Sequence, residues 1–303
     1  MNLRQLEHFV AVFEQKNLSK AAEAIPLSQP ALTRSVRTLE DQVGVELFLR
    51  HARGATPTPA GERLYHHAKS ILAECARAKR DARQSDGEIA GTVAIGIGSL
   101  FASHIIDNMI TRFCEKHPNA RLRVHQGFFE DLVNLLETGE IEVAFNNLPL
   151  LSLPDNMEFE PLLQVHSSVI VSAAHALANT DNADIKELSH AKWATVSQPH
   201  ALEVLDSLFI SEGVAAPQPA IRTNSLTLIK SLVMSSNFVC LLPDHLFSEE
   251  LSSGEVVRLP TSSTPVTRSA GLLFKKDGFR RPVANALGAE IQEVVSQLSD
   301  VLT

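Results

Sequence analysis

The first forty-five residues place apolar side chains at helical spacing in three successive segments. Over residues 2–15, apolar residues recur every three or four positions, which predicts an amphipathic helix with one buried face. A second helix is predicted from Leu18, capped by Asn17 and ended by Pro26. The inward faces of these two helices are formed by Leu3, Leu6, Phe9, Val10 and Phe13, and by Ala21, Ala22 and Ile25.

A third helix is predicted between Ser28 and Gly44, with Pro30 in its first turn. Its apolar face contains Leu32, Val36, Leu39 and Val43. Its opposite face presents amide, hydroxyl and guanidinium groups from Gln29, Thr33, Arg34 and Arg37. Two helices joined by a short turn, the second presenting such groups, suit the major groove of DNA. A small helical bundle with a solvated basic face would show the same spacing.

Four segments of this region resemble the N-terminal signature of LysR-type transcriptional regulators. They are LSKAAEA from Leu18, SQPALTRSVRTLE from Ser28, GVELF from Gly44 and TPAG from Thr58. The resemblance implies that Gln29, Pro30 and Thr33 contact bases, and that Arg34 contacts a base or a phosphate. It also implies a wing hairpin from Leu47 to Pro59. Arg50 and Arg53 flank the turn of that hairpin, and Arg53 is the candidate for insertion into the minor groove.

The hairpin is followed by a long helix with a heptad-like seam of mostly small residues. The seam consists of Leu64, Ala68, Ile71, Cys75, Ala78 and Ala82. A plain surface helix packed on its own domain is the alternative. The resemblance favours dimerisation through this helix and, as commonly in that family, a homotetramer built from two dimers. Residues 84–87 are predicted to form a hinge.

Beyond Gly91, short β-rich segments alternate with helices in two successive sets, which predicts a mainly parallel sheet in two lobes. No phosphate-binding loop, Gly-x-Ser-x-Gly elbow, His-Glu-x-x-His or Cys-x-x-Cys motif occurs, so we expect no enzyme, metal or cofactor. The predicted fold class is α/β: a winged helix-turn-helix, a long linker helix and a two-lobed body. The predicted boundaries are 1–58 for the DNA-binding domain, 59–86 for the linker, 91–162 plus 268–303 for lobe 1, and 163–267 for lobe 2.

The body resembles the LysR-type effector domain, which is built like periplasmic solute-binding proteins. EVAF from Glu142, HALA from His175 and LLP from Leu241 carry this resemblance. It implies a small-molecule effector between the lobes, contacted by Ser99, Leu100, Phe128, Asn146, His200, Ala201 and Asn224. Ser99 follows a strand that ends at Gly98, so we expect it to begin a helix whose N-terminus holds an anionic group. Otherwise Ser99 only caps a helix and Asn146 only closes a turn.

Charge is distributed unevenly over the 303 residues, whose formal net charge is −8. Residues 1–85 contain 13 Lys and Arg against 9 Asp and Glu, so the excess of acid lies in the rest of the chain. This asymmetry suits a DNA-binding end attached to an acidic body. RNA polymerase is a further candidate partner of such a regulator. The start of the chain has neither a signal peptide nor a membrane span, which predicts a cytoplasmic protein. Three widely spaced cysteines leave open a redox sensor of the same family that uses Cys114 or Cys240.

Overall fold

The N-terminal head is a three-helix domain followed by a β-hairpin. A computed structural model describes residues 1–51, 54–81, 89, 91–101, 105–148, 153–210, 212–261, 266–276 and 282–302. The head consists of α1 (Leu3–Gln15), α2 (Leu18–Ala24), α3 (Gln29–Val43), β1 (Phe48–His51) and β2 (Gly54–Pro57). The predicted caps of α2 and α3 are confirmed: the side chains of Asn17 and Ser28 accept backbone N–H groups, and Gly44 ends α3 with φ of 80°.

One apolar core holds the head together. It is formed by buried residues of all three helices and of β1, among them Leu6, Phe9, Leu32, Val36 and Phe48. The next helix, α4 (Pro59–Asp81), packs against it, and its Tyr65 ring stacks on Phe13 with centroids 3.9 Å apart. The head and the first turns of α4 therefore form one folding unit.

The predicted seam of α4 is divided between two environments. Ala68 is fully buried and Leu64 partly buried against the head, so Ala68 is not free to contact a second chain. Ile71 remains 37% exposed, and Ala78 is exposed as well. The prediction that the whole seam faces another chain is therefore wrong for its first half, which contains Leu64 and Ala68. Ala82 and the predicted hinge lie outside the described residues.

The body is built on one mixed β-sheet flanked by helices. In chain order its elements are β3 (Gly91–Gly98), α5 (Ile105–Lys116), β4 (Ala120–Gly127), α6 (Phe129–Glu137), β5 (Val143–Asn147), β6 (Met157–Ser172), α7 (Ile185–Ser189), β7 (Lys192–Val196), α8 (Pro199–Ile210), β8 (Ile221–Thr223), α9 (Leu226–Ser235), β9 (Phe238–Pro243), α10 (Ser248–Ser253), β10 (Val256–Leu259), β11 (Val266–Lys275) and α11 (Pro282–Leu302). The strand order is β4-β3-β5-β11-β6-β9-β7-β8, with β10 paired to β6.

Two long strands join the lobes. β3 pairs in parallel with β4 and β5 in lobe 1, and β7 pairs in parallel with β8 and β9 in lobe 2. Between them, β6 and β11 run antiparallel to each other and to their neighbours. The prediction of a mainly parallel sheet is therefore wrong at the centre of the sheet. There the chain returns from lobe 2 to lobe 1 through β11, which pairs antiparallel with both of its neighbours. Each lobe has its own apolar core, around Phe113 in lobe 1 and Trp193 in lobe 2.

Candidate DNA-recognition surface and interlobe cavity

The N-terminal half of α3 presents the polar face that the sequence predicts. Gln29, Pro30, Arg34 and Arg37 are exposed, and Thr33 is partly buried. The opposite face of α3 is fixed in the head by Leu32, Val36 and Leu39, none of which is exposed. The exposed groups are thus presented from a rigidly packed helix, as a recognition helix requires.

The wing hairpin is attached to α3 through one carboxylate. Glu40 accepts hydrogen bonds from the backbone N–H groups of Leu47 (2.9 Å) and Phe48 (3.2 Å), and its other oxygen pairs with the Arg50 guanidinium at 3.0 Å. Arg50 therefore stabilises the position of the wing as well as adding positive charge there. Arg53 lies outside the described residues.

A cavity of about 650 Å³, including its open mouth, lies between the two lobes. Six residues predicted to contact an effector line it: Ser99, Leu100, Phe128, Asn146, His200 and Ala201. The seventh, Asn224, is exposed beyond the end of β8 and is not part of the lining.

Ser99 does not begin a long helix. It starts a 3₁₀ turn of three residues, Ser99–Phe101, and the α-helix α5 begins at Ile105. The expected helix N-terminus at Ser99 is therefore wrong, because a single 3₁₀ turn lacks the aligned peptide dipoles of a full helix. Ser99 is still one of the residues that line the cavity.

Three residues of the cavity lining carry buried polar atoms without a protein partner among the described residues. Asn146 is 6% exposed, and its Oδ1 accepts the N–H of Asn147 at 2.8 Å, which leaves its Nδ2 unpaired. Neither polar atom of the Asn147 side chain has a partner, and neither does Nε of Arg268. Burial lowers the pKa of the Arg268 guanidinium from its ordinary value, but an arginine side chain remains charged at neutral pH. The cavity wall therefore offers a cation and amide groups to a ligand.

Two histidines connect the lobes beside the cavity. His200 on α8 contacts Glu130 of lobe 1 through Nε2 (2.9 Å) and Glu203 through Nδ1 (3.0 Å). His245, in lobe 2, contacts the carbonyl oxygen of Leu100 in lobe 1 at 2.6 Å and stacks on Phe101. These contacts hold the two walls of the cavity in a defined arrangement.

Comparison with known proteins assigns both parts of the chain. The model of the LysR substrate binding domain matches residues 86–296, and that of the bacterial regulatory helix-turn-helix protein, lysR family, matches residues 3–62. The chain belongs to the LysR family. It is a DNA-binding transcriptional regulator of that family, with an N-terminal helix-turn-helix and a C-terminal substrate-binding domain of mixed α/β structure.

Named relatives and solved structures of the LysR family extend over nearly the whole chain. The HTH-type transcriptional regulator GalR of Pseudomonas putida is 28% identical over 97% of this chain and 74% of its own length. The dual regulator OxyR of Escherichia coli is 26% identical over 91% and 90%. The crystal structure of the LysR family regulator CbnR matches with a TM-score of 0.68 at 20% identity, over 97% and 99%, and a second structure contains CbnR with its target DNA. These relatives carry the names of transcriptional regulators.

The three cysteines of this LysR-family chain are not among the described residues that line the cavity. Cys240 is fully buried in the core of lobe 2, and burial raises the pKa of its thiol. Cys114 is exposed on α5, and Cys75 is half-buried on α4. The described residues that line the cavity include no cysteine. Within the described chain, no cluster of side chains suits a metal ion and no helix is long and apolar enough to cross a membrane.

The sequence analysis of this LysR-family chain missed most of the central wall of the cavity. Asn147, Ser167 and Arg268 come from three adjacent strands, β5, β6 and β11, and Phe129 and Glu130 come from the first turn of α6. One signal was available in the sequence: Arg268 is a charged residue in a strand that becomes apolar after Ser269, and a charge in such a strand marks a functional position.

Proposed function

We propose that a small metabolite bearing a carboxylate binds in the interlobe cavity and thereby controls how this regulator acts on promoter DNA. The observation that carries the proposal is the set of unpaired buried donors, Asn146 Nδ2 and Arg268 Nε, on the wall of a cavity between two lobes. Buried polar groups without partners cost free energy, and a ligand that accepts their hydrogen bonds removes this cost.

The DNA partner is contacted by the head. Gln29, Pro30 and Thr33 at the start of α3 contact bases in the major groove, and Arg34 and Arg37 contact bases or phosphates. Arg50 adds a phosphate contact from the wing, and Arg53 enters the minor groove. The match of the lysR-family helix-turn-helix model to residues 3–62 supports this assignment to the head. A solved structure of the LysR family regulator CbnR contains its target DNA, which supports DNA as a partner of this chain. RNA polymerase is the further partner when the regulator activates transcription.

A thiol-based redox sensor of the same family is the rival function, and OxyR supports it by similarity. The geometry favours it less, since the reactive form of a cysteine is the thiolate and burial disfavours the thiolate of Cys240. Cys114 is accessible, so the rival requires it. DNA binding of wild type and Cys114→Ser is compared with and without hydrogen peroxide. An oxidant response that disappears in Cys114→Ser would establish the rival.

The proposal is tested by filling the cavity. Ala201 lines the cavity from α8, whereas Asp206 is exposed on the same helix and does not line it. Cells carry a reporter fused to a genomic fragment that the purified protein selects, and transcription is measured across carbon sources. We expect Ala201→Trp to fix transcription at one level while Asp206→Trp responds like wild type. If folded Ala201→Trp responds normally, the cavity does not control transcription.

A further inference from the structure

Resting on this proposed function, we infer that Arg268 is the charged anchor of the cavity and that the cavity takes a monocarboxylate with a compact apolar body. The negative group lies against the Arg268 guanidinium at the junction of the lobes, and the apolar body lies toward lobe 2. Ser99 has a secondary place at the edge of this arrangement.

The position of Arg268 in the sheet directs it toward the cavity. Arg268 lies on β11 opposite Val165 of β6, two residues before Ala270, which lies opposite Asn147 of β5. Residues at alternate positions of a strand share one face of a sheet, and so do residues paired across strands. Arg268 and Asn147 therefore project from the same face, and both line the cavity.

Arg268 is half-buried, and the described residues supply no negative partner for its guanidinium. Within the described part of the chain, no Asp or Glu forms an ion pair with it, and its Nε has no hydrogen-bond acceptor. By contrast, Arg258 of lobe 2 pairs with Asp244 at 2.7 Å. A buried N–H without an acceptor is costly, so an anionic ligand gains affinity by supplying the acceptor that the Nε of this half-buried cation lacks.

The neighbouring polar groups can complete the binding of one carboxylate. Asn147 adds an unpaired Nδ2 donor on the face of Arg268, and the next residue along β5, Asn146, also lines the cavity with its Nδ2 unpaired. Ser167 is part of the same lining. Among the described lining residues, Glu130 is the single carboxylate, and His200 contacts it at 2.9 Å. A carboxylate of the ligand would therefore lie among hydrogen-bond donors. Glu130, the one acidic side chain among the described lining residues, already contacts His200.

Most of the remaining lining residues are apolar, and they specify the body of the ligand. Phe128 contributes from lobe 1, and Val196, Ala201, Val204, Leu241 and Leu242 contribute from lobe 2. Arg268 is the one Lys or Arg among the described lining residues, so there is one cationic anchor for one carboxylate. An aromatic ring or a branched alkyl chain suits the apolar remainder, because its burial releases apolar surface from water.

The test uses matched probes that differ in charge: benzoate with benzamide, and 3-methylbutanoate with 3-methylbutanamide. Binding to the full-length protein is measured by calorimetry at millimolar probe concentrations. We expect at least one acid to bind wild type tenfold or more tightly than its amide. Arg268→Gln should lose that preference because its affinity for the acid falls. Its affinity for the amide should change less than twofold. Arg268→Lys, which keeps the charge but not the planar fork, should keep part of it.

The controls separate the anchor from the cavity. Arg222 is exposed on β8 outside the cavity lining, so Arg222→Gln should bind all four probes like wild type. If an acid keeps its full preference in folded Arg268→Gln and Ala201→Trp abolishes its binding, the cavity stands and Arg268 is not the anchor. Equal binding of acids and amides by wild type, or binding of none of the four probes, would overturn the ligand class. If Arg268→Gln fails to fold, Asn146→Asp replaces it in the test. The added negative charge should lower the affinity for the acid about tenfold. Unchanged affinity would overturn Arg268 as the anchor.

The proposed function can fail independently of this inference. A normal transcriptional response in Ala201→Trp removes the control by the cavity whatever the calorimetry gives. If Ala201→Trp fixes transcription at one level and wild type binds acids and amides equally, the cavity controls transcription. In that case the carboxylate ligand and its anchor at Arg268 are rejected.

Discussion

At the scale of single residues, two helical glycines differ in the space around them. Gly61 lies in the first turns of α4, and a Cβ at this position would overlap the carbonyl oxygen of Leu47, the residue before the first strand of the wing. Gly288 lies within α11, where the nearest atom to an added Cβ is Cδ1 of Leu272 at 3.6 Å, an ordinary contact. The first glycine allows the linker helix to approach the wing, whereas the second has no such role.

The same substitution should therefore have opposite effects at these positions. Gly61→Ala should destabilise the protein by about 1–3 kcal/mol, because backbone must move to accommodate the methyl group. Gly288→Ala should stabilise it by up to about 1 kcal/mol, since alanine favours a helix interior. Urea unfolding measures both, and hydrogen exchange over residues 45–57 reports whether the wing is displaced. Equal effects of the two substitutions would contradict this account of Gly61.

At the scale of elements, the recognition helix leads to a prediction on DNA affinity. Arg34 is exposed on α3 beside Pro30. If Arg34 neutralises a phosphate, Arg34→Ala should weaken DNA binding about tenfold and reduce the slope of log affinity against log salt by about one. Anisotropy titrations at several salt concentrations measure both quantities. Arg222→Ala removes an exposed arginine outside the head and serves as the control. Unchanged affinity and slope in folded Arg34→Ala would show that α3 is not the recognition helix.

The head was predictable element by element because its determinants are local. Caps at Asn17, Ser28 and Gly44 act within one turn of their helix, and the amphipathic spacing of α1 and α3 identifies their buried faces. Local rules failed at Ser99, where a serine after a strand begins only a 3₁₀ turn. They also failed for Ala68, because heptad spacing cannot tell whether an apolar residue faces the head of its own chain or a second chain.

The cavity required the topology of the whole molecule. Arg268, Asn147 and Ser167 become neighbours because β11 returns between β5 and β6, and no local pattern indicates that insertion. The resemblance to the LysR family identified residues on the two lobes, including Phe128 and Ala201, but not the strands that join them. Asn224 was placed by the same resemblance and lies outside the cavity lining, since its position beyond β8 leaves it exposed.

The linker helix also connects the head to lobe 1 within one chain. Lys69 on α4 pairs with Glu14 of the head and with Glu140 of lobe 1, both at 3.2 Å. Further along α4, Arg77 donates to the carbonyl oxygen of Gly139 at 2.9 Å, and Lys275 of β11 reaches Ser70. Helix α1 of the head, the residues after α6 and strand β11 of lobe 1 therefore all contact α4. A movement of lobe 1 relative to α4 would reach the head through these polar contacts.

These intramolecular contacts leave one apolar strip of α4 for assembly. Ile71, Cys75 and Ala78 lie at spacings of four and three, and Ile71 is 37% exposed. Since a helix buries such a strip by pairing with another helix, we expect a dimer through α4 and a wild-type particle larger than that dimer. Ile71→Glu places a charge in the strip and should about halve the particle mass at micromolar concentration, as measured by light scattering. Leu49→Glu, which adds the same charge on the exposed wing, should keep the wild-type mass. A wild-type monomer, or an unchanged mass in Ile71→Glu, would exclude assembly through this face of α4.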